Sequence, residues 1–354
     1  MSSTKLNFKT IVNRLILFIS FGVMAHIIFV LTTTERSLLT YLTKLSFGHI
    51  AIILGLMIFP WIGYAFRVVM WSSFLKEKIT FADALRVVIT ADLASALSPT
   101  AVGGAPVKAA LLLNRGFRPG SVGFMLSYGI IEDIIFYTTG ILLAGFFSAG
   151  LLSSIGQGVS DFIFKYGVYL TVIFIIILLY LYLLKTKKIP IGFRVMTYLP
   201  EKFKMKIYTL RSNLSQSLID MKSNFKFVFS DGKFRMMIGI VVLFLQWMSK
   251  FSVLLVILHA FNIEFETIQI YIRQWVVYVT MLFIPTPGAS GGAEASFLLI
   301  FGKSIPSNIT YLVVSVWRLF TYYFILLTAV FLYTGLTLLL SKEEVVVIDM
   351  PESK

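Results

Sequence analysis

The sequence predicts an all-α polytopic membrane protein in which two broken helices form re-entrant hairpins. Of its 354 residues, 58% are hydrophobic and 14% are charged, and the mean hydropathy is +0.88. A water-soluble protein of this size could not hydrate such a surface. Long apolar runs also recur along the chain. Two further segments, rich in Pro and Gly, are each flanked by apolar runs too short to cross a hydrocarbon core of about 30 Å.

Taken in order, the apolar runs define the elements of a single transmembrane domain covering residues 1–354. Six runs are long enough for full crossings: residues 11–31, 48–71, 121–147, 162–184, 236–259 and 310–340. With the two hairpins also counted as spans, the total is about eight. Basic residues near the ends of the runs predict cytoplasmic N- and C-termini, because loops on that side carry an excess of Lys and Arg.

The first hairpin is predicted at residues 81–118. Its two short helices are separated by a segment that contains Pro99, Gly103 and Gly104, and Lys108 lies in the second helix. Basic residues flank the hairpin at both ends, so it enters and leaves on the cytoplasmic face. Irregular backbone at membrane depth is tolerated only where protein or a water-filled cavity satisfies its polar groups.

The second hairpin is predicted at residues 267–303. A helix over residues 272–284 would rise only about 20 Å. The segment that follows combines helix-breaking residues with a carboxylate: Pro285, Pro287, Gly288, Gly291, Gly292 and Glu294. We expect this hairpin to enter from the outer face, opposite to the first.

The two hairpins indicate an inverted repeat. Pro99 and Pro287 are 188 residues apart, and the two Gly-Gly pairs share that offset. Inverted repeats with broken helices at their interface are typical of secondary transporters, and a repeat arising by chance is the alternative. The half-repeats are residues 48–147 and 236–340.

A basic loop separates the half-repeats. Residues 185–235 contain twelve basic and three acidic residues, within a net charge of +14. In a membrane protein this pattern predicts a cytoplasmic loop, so we expect no nucleic acid partner. Four apolar residues recur every seven positions, at Ile207, Leu214, Met221 and Val228. They predict an amphipathic helix, which is either a connector packed on the bundle or a segment lying on an anionic leaflet.

Charged residues inside apolar segments are the strongest candidates for a site, because a charge at the bilayer centre costs about 3 kcal/mol. They are Asp92, Lys108, Glu132, Asp133, Glu294 and Arg318. One hypothesis is that Glu132 and Arg318 form a structural ion pair. The other is that Arg318 and Lys108 attract an anionic head group while carboxylates bind a cation, a proton or an amino group. We expect Lys108 from one hairpin to face Glu294 from the other.

Backbone donors could add to such a site. Half-helices beginning at Gly104 and Gly292 would present free N–H groups suited to phosphate. The sequence contains no Ser-His-Asp set, metal-ligand cluster or nucleotide-binding fingerprint. We therefore predict no enzymatic activity, no cofactor and no metal.

Four segments together resemble the membrane domain of the lysylphosphatidylglycerol synthase/flippase family. They are residues 99–108, 131–133, 285–294 and 317–318. The resemblance extends over about residues 10–340. It implies a bacterial or archaeal plasma membrane, two inverted hairpins at a central cavity, and movement of lipids between leaflets. The soluble transferase domain of the synthases has no counterpart before Lys354, so we expect no lipid aminoacylation.

The function expected from these observations is that of a lipid flippase-like transporter. The lipid would be an aminoacyl-phospholipid, a polyprenyl-phosphate or a glycolipid. The substrate-binding residues would be Pro99, Gly103, Gly104, Lys108, Glu132, Asp133, Pro285, Pro287, Gly288, Gly291, Gly292, Glu294 and Arg318. Two alternatives stay open: a non-transport subunit that anchors or feeds a separate transferase, and a small-solute or ion transporter. A homo-oligomer is also left open.

Overall fold

A computed structural model describes residues 38–98, 103–147, 201–282, 284, 291–302 and 304–340. Every regular element in these ranges is helical. The predicted crossings at 11–31 and 162–184 lie outside the described residues, as do the tail 341–354 and four candidate site residues, Pro99, Pro285, Pro287 and Gly288.

A short 3₁₀ helix (Leu38–Lys44) precedes the main elements. These are α1 (Phe47–Phe74), α2 (Phe81–Leu97), α3 (Gly104–Asn114), α4 (Pro119–Phe147), α5 (Glu201–Asp231), α6 (Lys233–Ala260), α7 (Thr267–Met281), α8 (Gly292–Phe301), α9 (Thr310–Arg318), a π-helix (Leu319–Phe324) and α10 (Ile325–Leu340). Four stretches are long and apolar enough to cross a membrane: α1, α4, α6 and Thr310–Leu332. Each coincides with a predicted crossing, which confirms the all-helical membrane fold for the described ranges.

The central pair of crossings, α1 and α6, is joined by hydrogen bonds around a proline. Pro60 lies inside α1 and has no N–H to donate to the carbonyl oxygen of Leu56. The hydroxyl of Ser249 donates to that oxygen at 2.7 Å, and the Gln246 amide donates to the Pro60 carbonyl oxygen at 2.6 Å. Gly63 allows this approach, since a Cβ there would lie 2.8 Å from the Gln246 side chain. The bonds satisfy backbone groups that water cannot reach at membrane depth.

Two pairs of short helices occupy the positions of the predicted hairpins. The first pair is α2–α3, with 17 and 11 residues, and the second is α7–α8, with 15 and 10. None of the four rises as far as the roughly 30 Å of a hydrocarbon core. As predicted, α3 begins at Gly104 and α8 at Gly292. A Cβ on Gly104 would lie 1.9 Å from Ser95 Oγ, and one on Gly292 would lie 2.3 Å from Ile284 Cδ1. A Cβ on Gly104 would also lie 2.7 Å from the Ala91 carbonyl oxygen, so glycine is required for the close packing of α2 and α3.

Each short pair also packs against a long element that is distant in the sequence. The first pair contacts α10 through α2, and the second contacts α4 through α7. At the α4–α7 contact, the Phe136 ring stacks on Trp275 with ring centres 4.5 Å apart and on Trp247 of α6 at 4.9 Å. A Cβ on Gly140 would lie 2.2 Å from the Trp275 ring. The backbone of α4 thus lies directly against this indole.

The predicted amphipathic helix of the basic loop is present as α5. It packs along α4, where a Cβ on Gly120 would lie 2.4 Å from Asp220 Cβ and one on Gly123 would lie 3.2 Å from Met221 Sδ. Val228 is fully buried, whereas Leu218 is 53% exposed. The connector interpretation accounts for the packed face of α5. Association of its exposed face with an anionic leaflet stays a prediction.

The last crossing, predicted as one element over residues 310–340, is interrupted after Arg318. The helix changes from α to π over Leu319–Phe324 and returns to α at Ile325. Single π turns inside α-helices occur frequently at functional sites. Here the π turn separates the buried Arg318 from the segment that packs on α2.

Candidate functional site

A charged cavity of about 280 Å³ lies among α1, α2, α3, α4 and α6. Its lining includes three cationic and three anionic side chains: Arg67, Lys108, Lys250, Asp92, Glu132 and Asp133. Four aromatic residues also line it: Trp61, Tyr64, Trp71 and Tyr128. Asp133 is near the midpoint of the 29-residue helix α4, so the cavity reaches the depth where an uncompensated charge is most costly.

Two of the six charges neutralise each other. The guanidinium of Arg67 in α1 donates to the Glu132 carboxylate in α4, and it also donates to Gln246 Oε1 of α6 at 3.2 Å. Both charged residues are buried, at 7% and 1% exposure. Gly239 of α6 leaves room for the carboxylate, since a Cβ there would lie 3.0 Å from Glu132 Oε1. That oxygen has no hydrogen-bond partner in the described part of the chain, which leaves it able to accept one.

The third charged group, Asp92, accepts a hydrogen bond from an aromatic residue. The indole N–H of Trp61 in α1 donates to Asp92 Oδ2 in α2 at 2.8 Å. This bond joins the first short pair to the central crossing α1.

The remaining three charged groups are Lys108, Lys250 and Asp133. Within the described ranges none of them forms a direct hydrogen bond or ion pair with another side chain. The Lys250 ammonium lies over the Trp247 ring at 4.9 Å from its centre, a cation–π contact that leaves its N–H donors available. The cavity therefore offers two ammonium groups and one carboxylate to a ligand.

A second charged group lies at the second short pair. Arg318 Nε of α9 donates to Glu294 Oε1 in the first turn of α8 at 2.9 Å, and its guanidinium stacks over the Tyr322 ring at 4.6 Å. The Tyr322 hydroxyl in turn donates to the Ala96 carbonyl oxygen at 3.1 Å, near the end of α2. This series of contacts connects the second short pair to the first.

Comparison with known proteins identifies the family. The model of the family described as "Lysylphosphatidylglycerol synthase TM region" matches residues 16–329. The chain belongs to this family. A relative described as "UPF0104 membrane protein", from Archaeoglobus fulgidus, is 25% identical over 270 residues, which covers 74% of this chain and 79% of the relative. The resemblance inferred from the sequence is thereby confirmed.

In this member of the lysylphosphatidylglycerol synthase transmembrane family, the predicted site residues fall into two groups. Gly104, Lys108, Glu132 and Asp133 line the cavity, and Gly103 precedes α3 next to it. Glu294 and Arg318 form the second charged group. Gly291 and Gly292 mark the start of α8, where Gly291 adopts a positive φ of 79°.

The structure contradicts one hypothesised pairing and one predicted arrangement. Glu132 pairs with Arg67 and not with Arg318, because its position on α4 faces α1 and α6. Lys108 also does not face Glu294, since Lys108 lines the cavity and Glu294 is absent from its described lining. The carboxylate of Glu294 is instead directed to Arg318, which lies on the adjacent helix α9.

Sequence reasoning missed two cations of the cavity. Arg67 lies near the end of a predicted crossing and was not among the candidate site residues, yet it is 7% exposed and hydrogen-bonded to two helices. Lys250 was not singled out, although it stands inside an apolar run of membrane-spanning length. Because burying a charge in lipid is costly, both residues could have been selected as candidates from the sequence.

Proposed function

We propose that this protein is a lipid flippase-like transporter that moves an anionic or amphiphilic lipid between the leaflets of the plasma membrane. The head group would enter the charged cavity while the acyl chains stay in the bilayer. The observation that carries the proposal is the presence of Lys108 and Lys250, two ammonium groups without a direct ion pair among the described residues, in one cavity of a membrane protein. A phosphate could accept hydrogen bonds from both.

The composition of the cavity favours a head group over a simple ion. Its aromatic residues, such as Trp71 and Tyr128, provide contact area for a substrate with apolar parts, and Asp133 could bind an amino or hydroxyl group. An aminoacyl-phospholipid, a polyprenyl-phosphate and a glycolipid each combine such groups. A cavity of about 280 Å³ is at the lower end of typical ligand sites, which suits a head group rather than an entire lipid.

The arrangement of the short helix pairs supports a transport mechanism. The first pair contacts the last crossing of the second half, and the second pair contacts the last crossing of the first half. Related contacts in two halves are expected of an inverted repeat, in which one half rocks against the other to alternate access. In this proposal both pairs are re-entrant hairpins, they enter from opposite faces, and the N- and C-termini are cytoplasmic.

The test is translocation of a fluorescent anionic phospholipid in proteoliposomes. We expect wild-type protein to move the head group faster than protein-free vesicles do. Lys108→Gln and Lys250→Gln should each slow transport by about tenfold, since each loses a charge-assisted hydrogen bond. Lys78→Gln serves as the matched control, because Lys78 is exposed and does not line the cavity.

The outcome separates the proposal from its alternatives. Equal rates in protein-containing and protein-free vesicles would contradict transport and favour a subunit that serves a separate transferase. The three carboxylates of the cavity keep an ion transporter as the second candidate. Cation flux without lipid translocation would favour it.

A further inference from the structure

An apolar groove lies where α5 meets α6, separate from the charged cavity. Its volume is about 360 Å³, and its lining consists of one lysine and five apolar side chains: Lys233, Phe229, Met236, Met237, Ile240 and Val241. Gly232 forms the corner between the helices, where a Cβ would lie 2.7 Å from the Val228 carbonyl oxygen. The groove is thus built into the tight turn from α5 to α6.

The position of the groove on α6 defines its depth. α6 starts at Lys233 and has 28 residues, which rise about 42 Å against a hydrocarbon core of about 30 Å. The first turn of α6 therefore lies at the level of the lipid head groups. Met237 lies about 6 Å below it and Val241 about 12 Å below it, at the depth of the upper acyl chains.

A row of lysines leads to the mouth of the groove. Lys222, Lys226 and Phe229 follow one another at i, i+4 and i+7 on α5, so they share one face, and all three are exposed. Lys233, the first residue of α6, is also exposed and lines the groove. Within the described ranges these lysines form no ion pair with a carboxylate. Nearby Asp220 and Asp231 accept hydrogen bonds from Gln216 and Ser230 instead.

We infer that the α5–α6 groove binds an anionic phospholipid of the adjacent leaflet. One acyl chain packs against Met237 and Val241, and the phosphate lies at Lys233 with Lys226 as a second cation. A soluble ligand would gain nothing from this apolar lining at membrane depth, whereas the lysine at the mouth selects for negative charge. The inference does not rest on the proposed transport function, because no groove residue lines the charged cavity.

The absence of cysteine from the sequence allows a direct test. Val241→Cys, at a side chain that is 52% exposed, carries a bimane fluorophore in phosphatidylcholine vesicles. Brominated phosphatidylglycerol or brominated phosphatidylcholine is then titrated in as a quencher. We expect the anionic lipid to reach half-maximal quenching at about a fivefold lower mole fraction. In the same Val241→Cys background, Lys233→Gln should abolish this preference and Lys78→Gln, outside the groove, should leave it unchanged.

Two results would overturn the inference. One is equal quenching by the two lipids, or a preference that persists in the Lys233→Gln variant. The other is the lack of quenching by either lipid, which would show that protein covers the groove. An unchanged gel-filtration profile for each variant would confirm that substitution has not disrupted the fold.

Discussion

Two ion pairs with buried arginines link helices within the described ranges. Arg67–Glu132 joins α1 to α4, and Arg318–Glu294 joins α9 to α8. A buried pair contributes little net stability when intact, because desolvation offsets its attraction. Removing one partner is costly, since the other charge is left buried. The two pairs therefore fix which helices are neighbours more than they increase stability.

The first prediction concerns the ion pair between Arg318 and Glu294. Arg318→Ala should lower the free energy of unfolding by about 3 kcal/mol, because it leaves the Glu294 carboxylate without its cation. The double variant Arg318→Ala/Glu294→Ala should be less destabilised than the sum of the two single variants, since no charge is then left unpaired. Denaturant unfolding in mixed micelles measures the free energy of unfolding of Arg318→Ala, Glu294→Ala and the double variant.

Arg115→Ala is the matched control for this cycle. Arg115 pairs with Asp83 at 2.9 Å, but both side chains are partly exposed, at 28% and 32%, and Asp83 also accepts a hydrogen bond from Thr80, so the loss of Arg115 should cost about 1 kcal/mol or less. A similar loss for Arg115→Ala and Arg318→Ala would contradict the view that burial makes the Arg318 pair essential.

At the scale of residues, the charged positions could be predicted from the sequence, but their ion-pair partners could not. Glu132, Glu294 and Arg318 could be selected because charge inside an apolar run is costly in lipid. Their pairing depends on which helices touch and on how each is rotated about its axis. That arrangement is set by packing between residues far apart in the chain, such as Gly239 against Glu132.

At the scale of elements, glycine determines how closely helices approach. Gly104 and Gly292 allow close packing within the short pairs, and Gly140 brings α4 against the Trp275 ring of α7. The sequence predicted the first two because they follow Pro-rich breaks. Gly140 had no such signal, because it lies in the middle of a continuous helix and only its distant partner gives it a role.

The second prediction tests the α4–α7 contact. Gly140→Ala would place a Cβ 2.2 Å from the Trp275 ring, so we expect a loss of about 1–3 kcal/mol in unfolding free energy. Gly55→Ala is the control, since Gly55 lies inside α1 with nothing within 4 Å of the added Cβ. That change should be neutral or stabilising by up to about 1 kcal/mol. Thermal unfolding in micelles compares the two, and equal melting temperatures would contradict the close approach.

The bounds of the crossings could be predicted more accurately than the interruption in the last one. Hydrophobic run length alone places α1, α4 and α6 within three residues of their observed ends. The π turn at Leu319–Phe324 follows no sequence rule of this kind. It occurs where Arg318 and Tyr322 are both held by tertiary contacts, to Glu294 and to Ala96.

At the scale of the whole molecule, the two short pairs differ in charge environment. The first pair contributes Lys108 to a cavity that retains two ammonium groups and a carboxylate without direct partners in the described ranges. The second pair contributes Glu294, which is already bound to Arg318. The predicted arrangement, with Glu294 facing Lys108, is therefore replaced by a cavity with charged groups that have no direct partners in the described ranges and by a separate neutralised pair. In the proposed mechanism, the first binds the head group and the second positions the helices around it.

The most direct measurement is the accessibility of the cavity to water and to a lipid head group. Gly129 lines the cavity and has nothing within 4 Å of an added Cβ, so Gly129→Cys places the single thiol of the protein in open space. Gly55→Cys is the control on an exposed surface of the spanning helix α1. Both are treated in vesicles with a membrane-impermeant thiol reagent, with and without a soluble short-chain phosphatidylglycerol.

We expect Gly129→Cys to react, Gly55→Cys not to react, and the short-chain lipid to slow the reaction at position 129 by about tenfold. Adding Lys108→Gln and Lys250→Gln should remove this protection. A thiol at position 129 that does not react, or that reacts at the same rate with and without the lipid, would contradict a head-group pathway through the charged cavity.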